Sequence, residues 1–260
     1  MAKTILITGA TDGIGFETAK LLVSEGHNVL VHGRNAEKLE RVTAELGVQG
    51  YRADLSSFSE TAALAEAVKA DHAQIDVLIN NAGILKAPKE ETADGLDLRF
   101  VVNTLTPYLL TKALLEVMPR DGRVVNLSSA AQAPVDLRAM AAFSGQGAME
   151  AYAQSKLAIT MWTRELAAEL PEGPLIVAVN PGSLLASKMV KEGFGVAGSD
   201  LGIGADILRR AALSDEFIGK SGAYFDNDSG QFANPHGDAL SAAKSAAVHD
   251  KIKELVAQYS

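Results

Sequence analysis

The stretch that decides the fold lies near the N-terminus, where residues 4–15 read Thr4-Ile5-Leu6-Ile7-Thr8-Gly9-Ala10-Thr11-Asp12-Gly13-Ile14-Gly15. The β-branched run predicts a strand over Thr4–Thr8, and an apolar pattern with helical spacing follows from Gly13. Glycines at a strand-to-helix turn bring a pyrophosphate close to the helix N-terminus, where free N–H groups and the helix dipole favour anions. A purely structural turn uses glycines for the same steric reason. The strand, turn and helix together predict a dinucleotide site, with TGxxxGxG spacing in place of GxGxxG.

Short aliphatic runs alternate with longer helical patterns along the rest of the chain, which predicts a parallel sheet with helices on both faces. Strands are predicted at Thr4–Thr8, Asn28–His32, Gln49–Ala53, Val77–Asn80, Arg123–Leu127, Leu175–Val179 and Gly222–Tyr224. Helices are predicted to begin near Gly13, Ala36, Phe58, Ala93, Met149 and Ser199, with Asn35 and Ser57 as caps. Pro107 should kink or break the helix that follows Ala93. The expected fold is one α/β domain over residues 1–260, a Rossmann-type doubly wound, mostly parallel seven-stranded sheet.

Composition excludes several classes of function. The net charge is −8 and no cluster of lysine or arginine is present, so a nucleic-acid partner is not expected. The absence of cysteine excludes disulfides and thiolate metal sites. No metal is expected either, because the histidines lack metal-ligand spacing and are interpreted as ordinary surface or loop residues: His27, His32, His72, His236 and His249. The first residues lack the pattern of a secretory signal and no apolar run is long enough to cross a bilayer, so we expect a cytoplasmic protein without a membrane partner.

Beyond the glycine turn, an ordered set of segments resembles the classical short-chain dehydrogenase/reductase family over nearly the whole chain. Asp54 in Arg52-Ala53-Asp54-Leu55 is similar to the family's adenine-binding aspartate, and residues 80–83, Asn-Asn-Ala-Gly, to its NNAG segment. Pro181-Gly182 is similar to the turn near the nicotinamide carboxamide. A cap at Asp54 and a backbone-satisfying turn at residues 80–81 are compatible with these roles. The resemblance implies a cofactor site made of Gly9, Thr11, Asp12, Gly13, Ile14, Gly15, Arg34, Asp54, Leu55, Asn81, Ala82, Gly83, Tyr152, Lys156, Pro181 and Gly182.

The catalytic candidates centre on Tyr152-Ala153-Gln154-Ser155-Lys156, which places a tyrosine and a lysine four positions apart on one helix face. An isolated pair of this kind usually marks an amphipathic face, but the family's YxxxK motif has this spacing. A free phenol has a pKa of about 10 and is a poor base at neutral pH. We expect the Lys156 ammonium and the oxidised nicotinamide to lower the pKa of Tyr152, which would make it a general acid or base. By resemblance, Lys156 also holds the nicotinamide ribose.

Two further catalytic residues are implied by the resemblance. Val124-Val125-Asn126-Leu127-Ser128-Ser129-Ala130 resembles the family's serine segment, in which a hydroxyl stabilises charge on the substrate oxygen. Ser129 is the better match, Ser128 is the alternative, and backbone capping is the structural interpretation of both. Asn103 matches the helix asparagine that holds a water linking Lys156 to solvent, and packing near Pro107 is its structural alternative.

Cofactor choice depends on the end of the second strand. The run Val29-Leu30-Val31-His32-Gly33-Arg34-Asn35 has no carboxylate to bind the ribose hydroxyls, whereas Arg34 can contact a 2′-phosphate. This favours NADP. Asp12 opposes that choice, because a carboxylate near a 2′-phosphate is unfavourable unless it points away, so NAD stays open.

Two segments are expected to shape the substrate site. Ser129 and Tyr152 lie 23 positions apart, longer than the family's usual interval of about a dozen, which indicates an insertion around Pro134–Gly147. We interpret residues 131–148 as a flap beside the substrate. Residues 183–205, with five glycines between Gly193 and Gly204, are interpreted as a substrate loop, and a solvent loop is the alternative. Apolar residues after the Pro-Gly turn suggest a hydrophobic pocket or core packing: Leu184, Leu185, Met189, Val190, Phe194 and Val196.

The expected function is that of an NADP-preferring alcohol dehydrogenase or carbonyl reductase acting on a small, hydrophobic alcohol or carbonyl substrate. An epimerase or dehydratase from the superfamily's extended branch is disfavoured by chain length and glycine spacing. A catalytically inactive NAD(P)-binding regulator of the same fold is the alternative from another class. The resemblance implies a homodimer or homotetramer, and the C-terminal residues could serve the pocket or a subunit contact: Tyr224, Phe225, Phe232, Pro235 and His236.

Overall fold

The computed structural model describes residues 1–183, 185, 198 and 200–259. Its strands are β1 Thr4–Ile7, β2 Asn28–Gly33, β3 Gln49–Arg52, β4 Val77–Asn80, β5 Arg123–Leu127, β6 Leu175–Asn180, β7 Tyr224–Asp226 and β8 Gln231–Ala233. They form one sheet in the order β3-β2-β1-β4-β5-β6-β7-β8, in which β7 and β8 pair antiparallel and all other neighbours are parallel. The chain order reverses between β1 and β4, and a ligand crevice is expected outside the carboxyl ends of strands at such a switch point.

Helices cover both faces of the sheet. They are α1 Gly13–Ser24, α2 Ala36–Leu46, α3 Phe58–Asp71, α4 Leu98–Phe100, a π-helical turn Val101–Leu105, α5 Thr106–Leu114, α6 Leu137–Ala141, α7 Ala148–Glu169, α8 Leu201–Leu213 and α9 Ala242–Val256. Short 3₁₀ turns occur at Leu115–Val117, Asp215–Phe217, Gly237–Leu240 and Ala257–Tyr259. Among the described residues, none of these helices is long and apolar enough to cross a membrane.

The core lies on both faces of the sheet because successive side chains of a strand point to opposite sides. In β1, Leu6 packs into the cluster under α3, α5, α7 and α9, whereas Ile5 and Ile7 pack into the cluster under α1, α2 and α8. All three side chains are fully buried. A strand buried on both faces reads as a continuous aliphatic run, which is why the N-terminal sequence predicts a parallel sheet. The predicted fold class is confirmed.

The count of strands was wrong by one. The structure adds β8, and it places β7 at Tyr224–Asp226 where the sequence predicts Gly222–Tyr224. Each of these strands is three residues long, too short to show an alternation of polar and apolar residues. The first six strands begin at the predicted residues and end within one residue of the prediction.

Helix starts were predicted with mixed success. The caps of α2 and α3 are confirmed, since the Asn35 side chain accepts from the Lys38 N–H at 2.8 Å and Ser57 Oγ accepts from the Glu60 N–H at 3.3 Å. The helix expected near Ala93 begins at Leu98, because residues before it form a turn closed by a bridge between Glu91 and Asp97. The helix expected near Ser199 begins at Leu201, so the end of the predicted 183–205 loop is helical. The sequence did not predict α9.

Pro107 marks a break, as expected. It lies in the first turn of α5, directly after the π-helical turn Val101–Leu105. At the junction, both the backbone N–H and the hydroxyl of Thr106 donate to the Val101 carbonyl, the latter at 3.0 Å. Proline has no N–H and its ring conflicts with a regular preceding turn, so the wider turn accommodates it.

Candidate functional site

A cavity of about 680 Å³ opens at the carboxyl edge of the sheet, where β1 and β4 meet. Every predicted cofactor residue except Gly182 lines it, namely Gly9, Thr11, Asp12, Gly13, Ile14, Gly15, Arg34, Asp54, Leu55, Asn81, Ala82, Gly83, Tyr152, Lys156 and Pro181. Ser128, the alternative catalytic serine, also lines it. The sequence prediction missed other lining residues, namely His32, Gly33, Asn35, Lys38, Ala53, Ile84, Leu85, Lys86, Ala87, Pro88, Val102 and Leu127. The cavity therefore brings together residues from many separate segments.

The glycine turn has the geometry of a pyrophosphate cradle. Gly9 and Gly13 have φ angles of +65° and +59°, which side chains rarely adopt. A Cβ on Gly15 would come within 2.5 Å of the Gly9 carbonyl oxygen, so the turn can close this tightly only with glycine there. Above Gly13 the space is open, since a Cβ added to it would meet no described atom within 4 Å. These features fit a dinucleotide, because Asp12, the N-cap of α1, makes no side-chain cap and leaves first-turn N–H groups for an anion.

The segment after β4 locks this turn. Asn81 Nδ2 donates to the carbonyls of Thr8 at 2.8 Å and Gly9 at 3.0 Å. The Thr8 hydroxyl accepts from the N–H groups of Asn81 and Ala82, each at 3.1 Å. Asn80 points elsewhere and donates to Thr111 and Asn126. The predicted backbone-satisfying role is thus confirmed for Asn81, whereas Asn80 bonds only side chains.

At the far end of the cavity, cationic groups surround the carboxylate that opposed an NADP assignment. Lys38 Nζ lies 2.6 Å from Asp12 Oδ2, so the carboxylate is paired. Arg34 is exposed on the same wall and has no ion pair within the described part of the chain. The sequence prediction missed Lys38, although its i+4 position after Arg34 in a segment entering a helix was a signal.

Asp54 lies in the cavity wall after β3 as a turn residue. Its Oδ1 accepts from the Ser56 N–H at 2.9 Å, and its own N–H donates to Glu60 Oε2 at 2.8 Å. Leu55 is buried beside it and also lines the cavity. Asp54 therefore lies in a turn of the cavity wall, and the helix cap predicted as its structural role is supplied by Ser57 instead.

His32 corrects the interpretation of the histidines. It lies in β2 with 3% of its surface exposed, and His249 in α9 is equally buried at 2%, so neither is a surface or loop residue. His32 Nδ1 accepts from the Gly9 N–H at 3.2 Å, and its Nε2 lies 3.0 Å from the Ala53 carbonyl. Burial lowers the pKa of His32 to about 4, so its ring is neutral.

Tyr152 and Lys156 lie at the opposite end of the cavity, one turn apart in α7. The Lys156 ammonium is 5.7 Å from the centre of the Tyr152 ring and donates to the Leu127 carbonyl at 2.7 Å. Burial lowers the pKa of Lys156 to about 8. The YxxxK spacing thus converges on one wall, as predicted.

The expected direction of the tyrosine shift was wrong for the protein alone. Burial raises the pKa of Tyr152 above its usual value, and a hydrogen bond with the Ser129 side chain lowers it by a smaller amount. The free-energy cost of burying the phenolate exceeds the stabilisation that the Ser129 hydrogen bond gives it. Lys156, whose ammonium is itself destabilised by burial, does not overcome that cost.

The two serines after β5 have separate roles. Ser128 lines the cavity, but its hydroxyl contacts the Lys156 carbonyl at 3.1 Å and Thr160 Oγ1 at 2.7 Å. Ser129 Oγ accepts from the Ala131 N–H at 3.1 Å, which leaves its own proton for Tyr152. The Ser128 hydroxyl is thus occupied by contacts with α7, whereas the Ser129 side chain is the one that interacts with the phenol of Tyr152. Ser129 is not among the residues that line the 680 Å³ cavity, and its catalytic role stays a prediction.

Asn103 lies in the π-helical turn and packs between segments. Its Nδ2 donates to the Ile84 carbonyl and to Ser155 Oγ, each at 3.0 Å, and its Oδ1 accepts from the Ile84 N–H at 2.8 Å. These contacts support the packing role near Pro107. The water relay to Lys156 stays a prediction.

The Pro-Gly turn after β6 is held by the β7–β8 hairpin. Pro181 lines the cavity, and Gly182 has a φ of +123° that excludes most side chains. Asp228 accepts from the Ser183 N–H at 2.7 Å, and Asn227 Nδ2 donates to the Pro181 carbonyl at 3.0 Å. The sequence prediction missed this support because the hairpin is distant in the chain.

The predicted pocket residues fall largely beyond what the structure describes. Leu184, Met189, Val190, Phe194 and Val196 lie outside the described residues, whereas Leu185 is buried at 3%. From the tail, Phe225 and Phe232 pack with Phe217, and Tyr224 Oη donates to the Ser129 carbonyl at 3.2 Å.

The predicted insertion is hydrogen-bonded to α7. Gln154, which lies between Tyr152 and Lys156 in the sequence, is buried. Its Oε1 accepts a hydrogen bond from the Asp136 N–H at 2.9 Å, and its Nε2 donates to Gln146 Oε1 at 3.0 Å. None of the residues 131–148 is among those that line the 680 Å³ cavity. A flap role toward substrate stays a prediction.

Comparison with known proteins decides the family. A family model described as short chain dehydrogenase matches residues 3–194. The chain belongs to the short-chain dehydrogenase family. The resemblance stated from the sequence is confirmed, and with it the NAD(P)-binding fold of this family of NAD(P)-dependent oxidoreductases.

Individual relatives agree with this family. Retinol dehydrogenase 13 of Mus musculus is 34% identical over 193 residues, covering 69% of this chain and 58% of its own. This chain therefore spans little more than half the length of that relative. An uncharacterized protein of Mycobacterium paratuberculosis superposes with a TM-score of 0.81 at 28% identity, covering 97% of this chain and 92% of its own. A short chain dehydrogenase of Escherichia coli CFT073 in complex with NADPH superposes with a TM-score of 0.71 at 26% identity, covering 86% and 96% of the two chains.

Proposed function

We propose that this short-chain dehydrogenase transfers a hydride between NADP and an alcohol or carbonyl carbon, with Tyr152 exchanging the accompanying proton. The observation that carries the proposal is one continuous cavity with Arg34 and Lys38 at one end and Tyr152 and Lys156 at the other. A cradle for pyrophosphate lies between them. This order matches the order of phosphate, pyrophosphate and nicotinamide groups along the cofactor.

The protein's own groups manage the proton and the developing charge. When bound, the reduced nicotinamide supplies the hydride to the carbonyl carbon, and the oxidised form takes it back in the reverse direction. In reduction, Tyr152 Oη gives its proton to the substrate oxygen, and in oxidation it accepts that proton. When substrate binds, the Ser129 hydroxyl turns its single proton from Tyr152 to the same oxygen, which stabilises negative charge that develops there.

The raised pKa of Tyr152 suits the reductive direction. A phenol with a raised pKa stays protonated at neutral pH and is ready to donate. Oxidation needs the phenolate, which the Ser129 hydrogen bond and the Lys156 ammonium favour. By family resemblance, Lys156 also holds the nicotinamide ribose.

We infer a preference for NADP from the charges at one end of the cavity. Arg34 and Lys38 supply two positive charges and Asp12 supplies one negative charge at the same end of the cavity. Because Lys38 pairs with Asp12, Arg34 is left to receive a 2′-phosphate. The Escherichia coli neighbour described as complexed with NADPH supports this choice.

We propose an apolar alcohol or carbonyl compound as substrate. Ile84, Leu85 and Val102 line the cavity beside Tyr152, and the mouse relative carries the name retinol dehydrogenase. The apolar residues predicted to follow the Pro-Gly turn agree with this class. Cytoplasmic location and assembly into a homodimer or homotetramer stay predictions from the sequence.

The test combines binding with turnover. Purified protein is titrated with NADPH and NADH, and then mixed with a panel of apolar and polar aldehydes and ketones while loss of the nicotinamide absorbance is followed. We expect binding of NADPH and turnover of the apolar compounds. Tyr152→Phe should keep NADPH binding and lose turnover, whereas the matched control Tyr51→Phe, which removes a hydroxyl bonded to Asp71 away from the cavity, should keep both.

Two results would separate the alternatives. Tight NADPH binding without turnover of any compound would favour the regulator that kept the fold and lost its chemistry. Turnover that survives in Tyr152→Phe would contradict the assigned proton donor.

A further inference from the structure

His32 extends the hydrogen bonding of three strands beyond the point where their backbone pairing ends. The β1–β2 register runs to Ile7 opposite Val31. Past that point, the His32 carbonyl accepts from the Ala10 N–H at 2.9 Å, and its ring accepts from the Gly9 N–H at 3.2 Å. On the other side, Nε2 reaches the Ala53 carbonyl at 3.0 Å.

These contacts fix the tautomer of the ring. The Gly9 N–H is a donor, so Nδ1 must be the unprotonated nitrogen. The Ala53 carbonyl is an acceptor, so Nε2 must carry the proton. The neutral ring that burial favours is the form that satisfies both neighbours at once.

Both bonded residues belong to the wall of the cofactor cavity. Gly9 opens the glycine turn at a φ of +65°, and Ala53 directly precedes Asp54 and Leu55 at the adenine end. The ring therefore links the pyrophosphate cradle with the adenine wall. Without it, the partly buried Gly9 N–H and the buried Ala53 carbonyl lose partners, and the turn must shift to satisfy them.

We propose that His32 is a positioning residue for the adenosine and pyrophosphate half of the dinucleotide, acting through its bonds to Gly9 and Ala53. The inference rests on the proposed NADP-dependent function. It assigns to His32 no contact with the reacting carbon and no part in proton transfer. Its effect is to be seen in cofactor affinity.

Three substitutions separate the two bonds. His32→Leu removes both, and we expect the Kd for NADPH to rise about tenfold, the size of one buried hydrogen bond. His32→Asn keeps an acceptor near the Nδ1 position, so its Kd should stay within about threefold of the wild-type value. His32→Gln keeps a donor near the Nε2 position only, so its Kd should rise nearly as much as that of the leucine variant.

The measurement is a fluorescence titration with NADPH, repeated by calorimetry with 2′-phospho-ADP-ribose, which lacks the nicotinamide. Equal fold-changes for both ligands are expected, because His32 acts on the half that they share. The matched control is His249→Leu, which removes an equally buried histidine in α9 and should leave both Kd values unchanged. The thermal unfolding midpoint of each variant shows whether the substitution destabilises the whole protein.

The outcomes distinguish the inference from the function on which it rests. If wild-type protein bound neither NADPH nor NADH, the proposed function would fail and this inference with it. If His32→Leu bound NADPH like the wild type, or lost only thermal stability, the inference alone would be overturned. Should the leucine variant not fold, the ordering of the asparagine and glutamine variants decides, and equal affinities in those two variants and the wild type would count against it.

Discussion

The Lys38 ammonium lies 2.6 Å from the Asp12 carboxylate, so the acidic residue of the glycine turn is paired with a cation from the next helix. In the sequence alone, Asp12 argues against NADP, because its carboxylate would repel a 2′-phosphate. In the folded chain its charge is offset at close range, and the cavity end keeps the positive charge of Arg34.

Lys38→Ala should weaken NADPH binding by about threefold to fivefold and leave NADH binding within about twofold, because both groups of the pair are about half exposed and surface charge pairs contribute about 0.2–1 kcal/mol. Titration of each variant with both cofactors measures this ratio. The control is the double variant with Asp12→Asn. If Lys38→Ala weakened NADPH binding as much in the Asp12→Asn background as in the wild type, the Lys38–Asp12 pair would not be the cause of the weaker binding.

Arg34→Ala should raise the Kd for NADPH by about tenfold and change that for NADH little, since only NADPH carries the 2′-phosphate. Arg41→Ala is a matched control, because Arg41 is exposed on α2 and does not line the cavity. The same titrations serve here. Equal losses of affinity for the two cofactors would contradict the assignment of Arg34 to the phosphate.

Ser129→Ala should lower kcat by about 10²–10³-fold, the cost of losing a donor to developing negative charge. It should also move the Tyr152-dependent limb of the pH profile for alcohol oxidation to higher pH, because the lost hydrogen bond lowers the pKa of Tyr152. The plateau value of kcat measures the first effect, and profiles of kcat/KM against pH, which report the pKa values of the free enzyme, measure the second.

The neighbouring serine gives the control for that experiment. Ser128→Ala removes bonds to Lys156 and Thr160, so it should lower the free energy of unfolding by about 1–2 kcal/mol without moving the pH limb. A pH limb that moved in Ser128→Ala and not in Ser129→Ala would reverse the assignment of the two residues.

Lys156→Met should stabilise the cofactor-free protein at pH 7 by about 1–2 kcal/mol while it impairs turnover. Burial lowers the pKa of Lys156 from 10.5 to about 8, so below pH 8 the folded state carries a destabilised ammonium. Between about pH 8 and 10.5 the unfolded chain binds more protons, so wild-type stability rises with pH and the advantage of methionine shrinks. Denaturant unfolding at pH 7 and pH 10 tests this. A constant difference at the two values would show that burial of the charge is not its source.

The sequence predicted the elements that depend on local pattern. Aliphatic runs set β1 to β6, and Asn35 and Ser57 set the starts of two helices, because strand burial and capping are encoded within a few residues. Elements were missed for different reasons. β8 has only three residues, too few to show a strand pattern, whereas α9 was overlooked although its buried Val248, Ile252 and Val256 recur at helical spacing.

By itself, the sequence determined the family, the fold class and the residues of the glycine turn and the YxxxK pair, since each is a short motif with a fixed local geometry. Only the tertiary structure decided that Lys38 pairs with Asp12, that His32 bridges Gly9 and Ala53, and that contacts with α7 occupy the Ser128 hydroxyl. Burial also raises the pKa of Tyr152 in the protein alone, an effect that the sequence does not reveal. These properties arise from burial and from contacts between strands far apart in the chain, and no local pattern records which distant group a side chain will meet or how much water it will lose.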